Sequence, residues 1–208
     1  MTDRAPHPRL PGNLLDPGQR LADRTESWPV RSTTEEYRHP FLSLALDTVE
    51  APDGASFQRV YVRHLGAVGV VALDDDGRVL LLEQYRHPAR SRLVQLPAGV
   101  LDRADEDPMD TAVRELAEEA DLTAREWTPL LRMFSSPGFS DEHWYVYLAR
   151  GLEPVPRAQR YERIHEEADM TRVWAPLAEA VRAALDGQIT DAMAVGGVLA
   201  ASARGGHP

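Results

Sequence analysis

A chain of 208 residues, 43% of them hydrophobic, is long enough to close one medium-sized core, or a catalytic domain with a smaller appendage. Its formal charge of −10 argues against a nucleic-acid partner held through phosphates, and the lack of cysteine excludes disulfides and thiolate-bound metals. The first residues carry Arg4 and Arg9 among prolines but no apolar signal-peptide core, and no apolar run reaches bilayer-spanning length, so a cytoplasmic protein without membrane contact is expected.

Residues 1–26 are rich in Pro, Arg, Asp and Gly without periodic apolar positions, which predicts a loose arm, with Trp28 as its candidate anchor. From Phe41 to Val49 the alternation of Leu42, Leu44 and Leu46 predicts a strand. Ala51-Pro52-Asp53-Gly54 reads as a turn and Phe57 to His64 as the returning strand, so residues 27–64 are expected to form a small β hairpin module. The unbroken apolar run Ala67 to Leu73 predicts a strand buried on both faces. Asp74-Asp75-Asp76-Gly77 then turns the chain into a second strand, Arg78 to Tyr85, and Leu93 to Leu96 is a third extended piece leading into Pro97-Ala98-Gly99.

Pro108 suits the first turn of a helix over about 108–120. Strands are expected over Trp127 to Phe134 and Trp144 to Ala149, flanking the loop Ser135 to Glu142, and residues 151–171 read as an exposed loop. A short strand at Val173-Trp174 precedes helices over Leu177 to Leu185 and Asp191 to Ala203. Trp127, Trp144 and Trp174 are expected in the core. Because strands and helices intersperse without a regular βα repeat, an α/β (α+β) sandwich is favoured over a doubly wound sheet.

Chemistry concentrates between Pro97 and Leu122. On a helix Glu115, Glu118 and Glu119 stand at i, i+3 and i+4, placing three carboxylates on one face. Like charges so spaced destabilise a helix unless water dilutes them or a divalent cation neutralises them, and carboxylate oxygens suit a hard ion such as Mg²⁺. A solvated surface face has the same composition; the surrounding residues decide between the two.

That stretch resembles the Nudix box, Gly-x5-Glu-x7-Arg-Glu-U-x-Glu-Glu-x-Gly-U with U aliphatic. Gly99, Glu106, Arg114, Glu115, Leu116, Glu118, Glu119 and Leu122 fall on it, with two departures. Six residues rather than five separate Gly99 from Glu106, and Asp121 stands where the box ends in glycine, a left-handed position that Asp tolerates better than most residues. Glu83-Gln84-Tyr85-Arg86, Leu96-Pro97-Ala98-Gly99, Pro137-Gly138-Phe139-Ser140-Asp141-Glu142 and His165-Glu166-Glu167-Ala168-Asp169-Met170 extend the likeness. Together they are similar to the ADP-ribose pyrophosphatase branch of the Nudix hydrolases, above all its actinobacterial members, over about residues 30–203. The longer glycine-to-glutamate spacing also occurs in that branch.

The resemblance implies a mixed sheet sandwiched between helices over 65–208, with residues 27–64 as a dimerisation module of a homodimer. It implies cleavage of ADP-ribose to AMP and ribose 5-phosphate with Mg²⁺, or Mn²⁺, as cofactor. Glu115 and Glu119 correspond to the principal metal ligands, Glu118 to a further or water-mediated one, and the Ala98 carbonyl to the backbone ligand. Glu167 corresponds to the general base, with Glu166 as its rival. Arg86 would clamp a phosphate, Ser140 and Glu142 would contact the distal ribose, and Trp28 would face adenine across the dimer.

Arg114 is expected to pair with Glu106 in a structural role, and His87, His143 and His165 are not spaced as metal ligands beside the glutamates. Two alternatives stay open: the same machinery acting on another nucleoside diphosphate sugar or a dinucleotide, and a protein that senses ADP-ribose without cleaving it.

Overall fold

The computed structural model describes residues 5–163 and 168–205. Its first layer is an antiparallel sheet of β1 (Val30–His39), β2 (Leu42–Glu50) and β3 (Ser56–His64), in that order. The turn between β2 and β3 closes where expected: Gly54 takes φ 85° and donates its N–H to the Ala51 carbonyl. The expected hairpin is thus a three-stranded sheet. Strand β1 has no apolar alternation to announce it, and all of its residues are exposed. The deepest point of the layer is Ala45, fully buried on β2, whereas Leu42 at the start of the strand is largely exposed.

The rest is built around β4 (Ala67–Ala72), every residue of which is buried. It pairs antiparallel with β7 (Ala98–Val100) and parallel with β9 (His143–Pro154), and β9 pairs antiparallel with β8 (Leu122–Phe134). A second sheet runs in the order β10 (Thr171–Pro176), β5 (Arg78–Arg86), β6 (Ser91–Gln95). Helix α1 (Pro108–Ala120) covers one side, where Ala112, Leu116 and Ala120 pack with Val68, Val70 and Ala72. Helices α2 (Leu177–Leu185) and α3 (Ala192–Ala203) cover the other, where Leu177, Met193 and Val198 pack with Ala67, Val71 and Leu73. The two-residue period of β4 therefore feeds two cores with alternate side chains. The expected mixed sheet between helices is what forms.

Two glycines let α3 approach that strand. A Cβ on Gly69 would stand 2.3 Å from the Met193 sulfur, and one on Gly197 would stand 2.7 Å from Leu96 Cδ1. Strand β8 is longer than expected, because its exposed residues Thr123, Arg125 and Glu126 interrupt the apolar pattern. Strand β9 likewise continues to Pro154, into the segment read as loop, and Val155 beyond it is buried.

The first layer is stitched to the loop between β8 and β9. Val62 of β3 donates its N–H to the Phe139 carbonyl and accepts from Asp141 N–H, and His64 N–H donates to an Asp141 carboxylate oxygen at 2.8 Å. Among the described residues no helix is long and apolar enough to cross a membrane.

Candidate active site

Helix α1 begins cleanly, with Asp107 as its cap, accepting from Met109 N–H at 2.8 Å, and Pro108 in the first turn. Its inward face carries Thr111, Ala112, Leu116 and Ala120, and one acid, Glu119, only 7% exposed. A buried carboxylate requires donors, and Ala98 N–H donates to Glu119 Oε2 at 2.8 Å. One turn earlier Glu115 reaches the next residue of β7: a Cβ on Gly99 would lie 2.1 Å from its Cδ. Glu115 and Glu119 thus rest side by side on the backbone of Gly99 and Ala98.

Burial pushes the Glu115 carboxyl up to about 7; Glu118 and Asp102 add to the rise and Arg114 opposes it. Arg114 ties the site together. It meets Glu115 at 2.5 Å, Glu106 at 3.1 Å, Glu118 at 3.3 Å and Asp102 at 3.5 Å. Thr111 donates its hydroxyl to the same Glu106 oxygen at 2.9 Å. Burial opposes the charge on Arg114, but Glu106, Glu115 and Glu118 together hold its pKa above the ordinary arginine value. The pair expected between Arg114 and Glu106 forms, and the same guanidinium also engages Glu115 and Glu118, two of the three glutamates of α1.

Among the described residues no three His, Asp or Glu side chains converge as a ready-made metal cage. Arg114 instead bridges Glu115 and Glu118. The donor set nonetheless fits a hard divalent ion: two carboxylates one turn apart are held against a backbone strand, and burial raises the pKa of one of them against the opposing pull of Arg114.

Beside β7 opens a cleft of about 290 Å³, lined among others by Arg86, Gln95, Ala98, Gly99, Glu142 and Asp191. Arg86 at the end of β5 donates Nε–H to Gln95 Oε1 at 2.7 Å. Glu142 accepts from the Ser135 hydroxyl at 2.6 Å and stands 3.5 Å from His64 Nδ1. Arg86, Ala98 and Glu142, expected from sequence, therefore meet in one cleft. Ser140 does not join them. Its hydroxyl accepts from Glu142 N–H, and it lines a neighbouring cleft with Arg59, Tyr61 and Phe139.

Trp28 is also elsewhere. It packs edge-on against Phe57 at 6.4 Å, at the opposite end of β3 from His64, roughly 23 Å away for seven strand residues. Trp144 packs against the core, as expected, and also lines the cleft, whereas Trp174 is 41% exposed on β10, the outer strand of its sheet. His165, Glu166 and Glu167 lie outside the described residues. On either side of them Arg163 pairs with Asp121 at 2.8 Å, and Arg92 pairs with Asp169.

Asp121 takes φ 56° and ψ 36°, the left-handed cap expected of it. It does more: although almost fully buried, its carboxylate meets both Arg163 and Arg172, the latter at 2.6 Å. Burial alone would raise its pKa, but the two arginines hold it below the usual range. Sequence reading missed Gln95, Asp191 and His64 as cleft residues. Gln95 carried a signal, a polar residue inside the apolar run Leu93 to Leu96, and so did Asp191, an acid just before a helix; His64 had none.

The NUDIX domain family model matches residues 63–194. The chain is 48% identical over 161 residues to an ADP-ribose pyrophosphatase of Mycobacterium tuberculosis, covering 77% of this chain and 76% of that one. It is 40% identical over 111 residues to an ADP-ribose pyrophosphatase of Bacillus subtilis, covering 53% of this chain and 60% of the other. The crystal structure of an ADP compounds hydrolase superposes with a TM-score of 0.71 at 21% identity, covering 89% of this chain and all of that one, a likeness of fold.

Proposed function

The chain belongs to the Nudix hydrolase family, and from that membership we propose that it hydrolyses the pyrophosphate of ADP-ribose, giving AMP and ribose 5-phosphate. One observation carries the reading: Glu115 and Glu119 are held against Gly99 and Ala98 of β7, and these two β7 residues line the cleft that contains Arg86 and Glu142.

Glu115 and Glu119, with Glu118 and the Ala98 carbonyl, would hold Mg²⁺, or Mn²⁺ in its place. When bound, the ion supplies charge neutralisation on the pyrophosphate and lowers the pKa of a coordinated water. Arg86 binds a phosphate through its guanidinium. Glu142 accepts a hydroxyl of the distal ribose, with Ser140 holding the Glu142 backbone. Glu167, with Glu166 as the rival, takes the proton of the attacking water; a bond forms from its oxygen to phosphorus, the bridging P–O bond breaks, and the electron pair leaves with the departing phosphate.

The working unit in this reading is a cytoplasmic homodimer built through the 27–64 module, in which Trp28 offers its face to adenine in the partner's site. The exposure of Trp28 and its distance from the cleft of its own chain support this.

The test is hydrolysis of ADP-ribose against a panel of nucleotide sugars and dinucleotides, with Mg²⁺ and with a chelator. Preference for ADP-ribose that chelation abolishes supports the reading. Preference for another member keeps the machinery and discards the substrate, and tight binding without cleavage makes the protein a sensor.

A further inference from the structure

We infer that Gln95 and Asp191 are positioning residues that fix the Arg86 guanidinium for phosphate binding. This rests on the reading of Arg86 as the phosphate clamp. Arg86 closes β5 and Gln95 closes β6. In the ladder Gln95 stands opposite Leu82 and Arg86 opposite Ser91, four positions apart, on the same face of the sheet. That offset is roughly 13 Å at 3.3 Å per residue, so the two side chains meet only by reaching toward one another along the strands. They do meet: Arg86 Nε–H donates to Gln95 Oε1 at 2.7 Å.

The Gln95 amide is thereby oriented, and its Nε2 donates to Asp191 Oδ2 at 2.8 Å. Asp191 is itself immobilised, because its other oxygen caps α3 by accepting from Ala194 N–H at 2.9 Å. The result is a chain from a helix cap, through a buried amide, to a guanidinium. With Nε engaged by Gln95, the two terminal nitrogens of Arg86 form the fork that a phosphate accepts.

The choice of an amide is physically pointed. A carboxylate at position 95 would cancel the Arg86 charge that the substrate needs and would face Asp191 at hydrogen-bond distance, anion against anion. A neutral amide aligned between an anion and a cation passes on orientation without neutralising the cation. Gln95, at 9% exposure, cannot substitute water for either partner.

The experiment is a double-mutant cycle on kcat/KM with Gln95→Leu, Arg86→Ala and the pair. It is read on ADP-ribose, or on whichever panel substrate the wild type prefers, so that a wrong substrate does not obscure the coupling. Gln95→Leu is expected to cost about tenfold, the fold-change of one lost hydrogen bond. In the Arg86→Ala background it should cost less than about twofold, because its partner is already gone. Equal losses in both backgrounds overturn the inference.

A readout independent of turnover is the Arg86 Nε–H resonance, assigned by its loss in Arg86→Lys. It should be protected from solvent exchange in the wild type and unprotected in Gln95→Leu; unchanged protection overturns the proposal. If Gln95→Leu does not fold, Asp191→Asn keeps the helix cap while removing the anion. It should still perturb the Arg86 resonance and raise KM about threefold, as for a weakened charge-assisted bond, and neither change appearing also overturns it.

Discussion

Glu115 occupies the place that a side chain at residue 99 would need: a Cβ on Gly99 would stand 2.1 Å from Glu115 Cδ and 2.4 Å from its Cγ. The far end of a glutamate can swing away, so Gly99→Ala should change stability by less than about 1 kcal/mol. Swinging away moves the carboxylate by the order of an ångström, which costs about a hundredfold in turnover. A normal unfolding midpoint with turnover down by that factor is the expected pair of results; unimpaired turnover would show that the contact does not position Glu115.

Burial raises Glu115 to about 7, so the folded protein holds a proton there that the unfolded chain releases nearer 4.5. A group with a raised folded pKa stabilises fully below its unfolded pKa and loses that contribution as pH rises through the folded value. Chelator-treated protein should therefore lose on the order of 1–3 kcal/mol between pH 5 and 8, and Glu115→Gln should flatten the profile. Urea unfolding at a series of pH values measures both. A wild type as flat as the variant would remove burial of this carboxyl as a determinant of stability.

Asp121 invites the opposite change. Asp121→Gly restores a residue suited to φ 56° and relieves about 1 kcal/mol of backbone strain. It also leaves Arg163 and Arg172 without the buried carboxylate they share, a loss of about 3 kcal/mol for a broken buried pair. The net expectation is destabilisation by about 2 kcal/mol at neutral pH. Because the arginines depress the Asp121 pKa, the wild-type advantage should hold above the unfolded aspartate value and disappear as pH falls through the folded one. A variant at least as stable as the wild type at pH 7 would mean that the ion pairs contribute nothing.

Glu167→Gln should lower turnover by about 10²–10⁴-fold while leaving metal affinity intact, the signature of a lost general base. Glu166→Gln is the control and should cost far less. If the two variants exchange these outcomes, Glu166 is the base.

Helix α1 was legible in the sequence to the residue, because Pro108, the Leu116 and Ala120 face and the left-handed Asp121 are all local signals. The double-sided burial of β4 was equally plain from its unbroken apolar run. Strand β1 was not, since a strand exposed along its whole length leaves no hydrophobic period to read. Nor was the second role of Arg114. Its pairing with Glu106 follows from spacing, but its hold on Glu115 and Glu118 depends on how α1 sits against β7. The Arg86–Gln95–Asp191 chain joins residues 9 and 96 positions apart, a separation that only tertiary structure closes.

The hydrogen bonds between Val62 and the Phe139 to Asp141 loop carry a consequence for modularity. The recognised family segment begins at residue 63, one position beyond the strand residue that fastens the loop carrying Glu142. Transplanting that segment alone into another protein would carry every box residue and leave the loop that holds Glu142 without two of its backbone anchors. The unit that closes this structure is therefore larger than the matched segment, which also stops at residue 194, short of the core residues Val198 and Ala201 of α3.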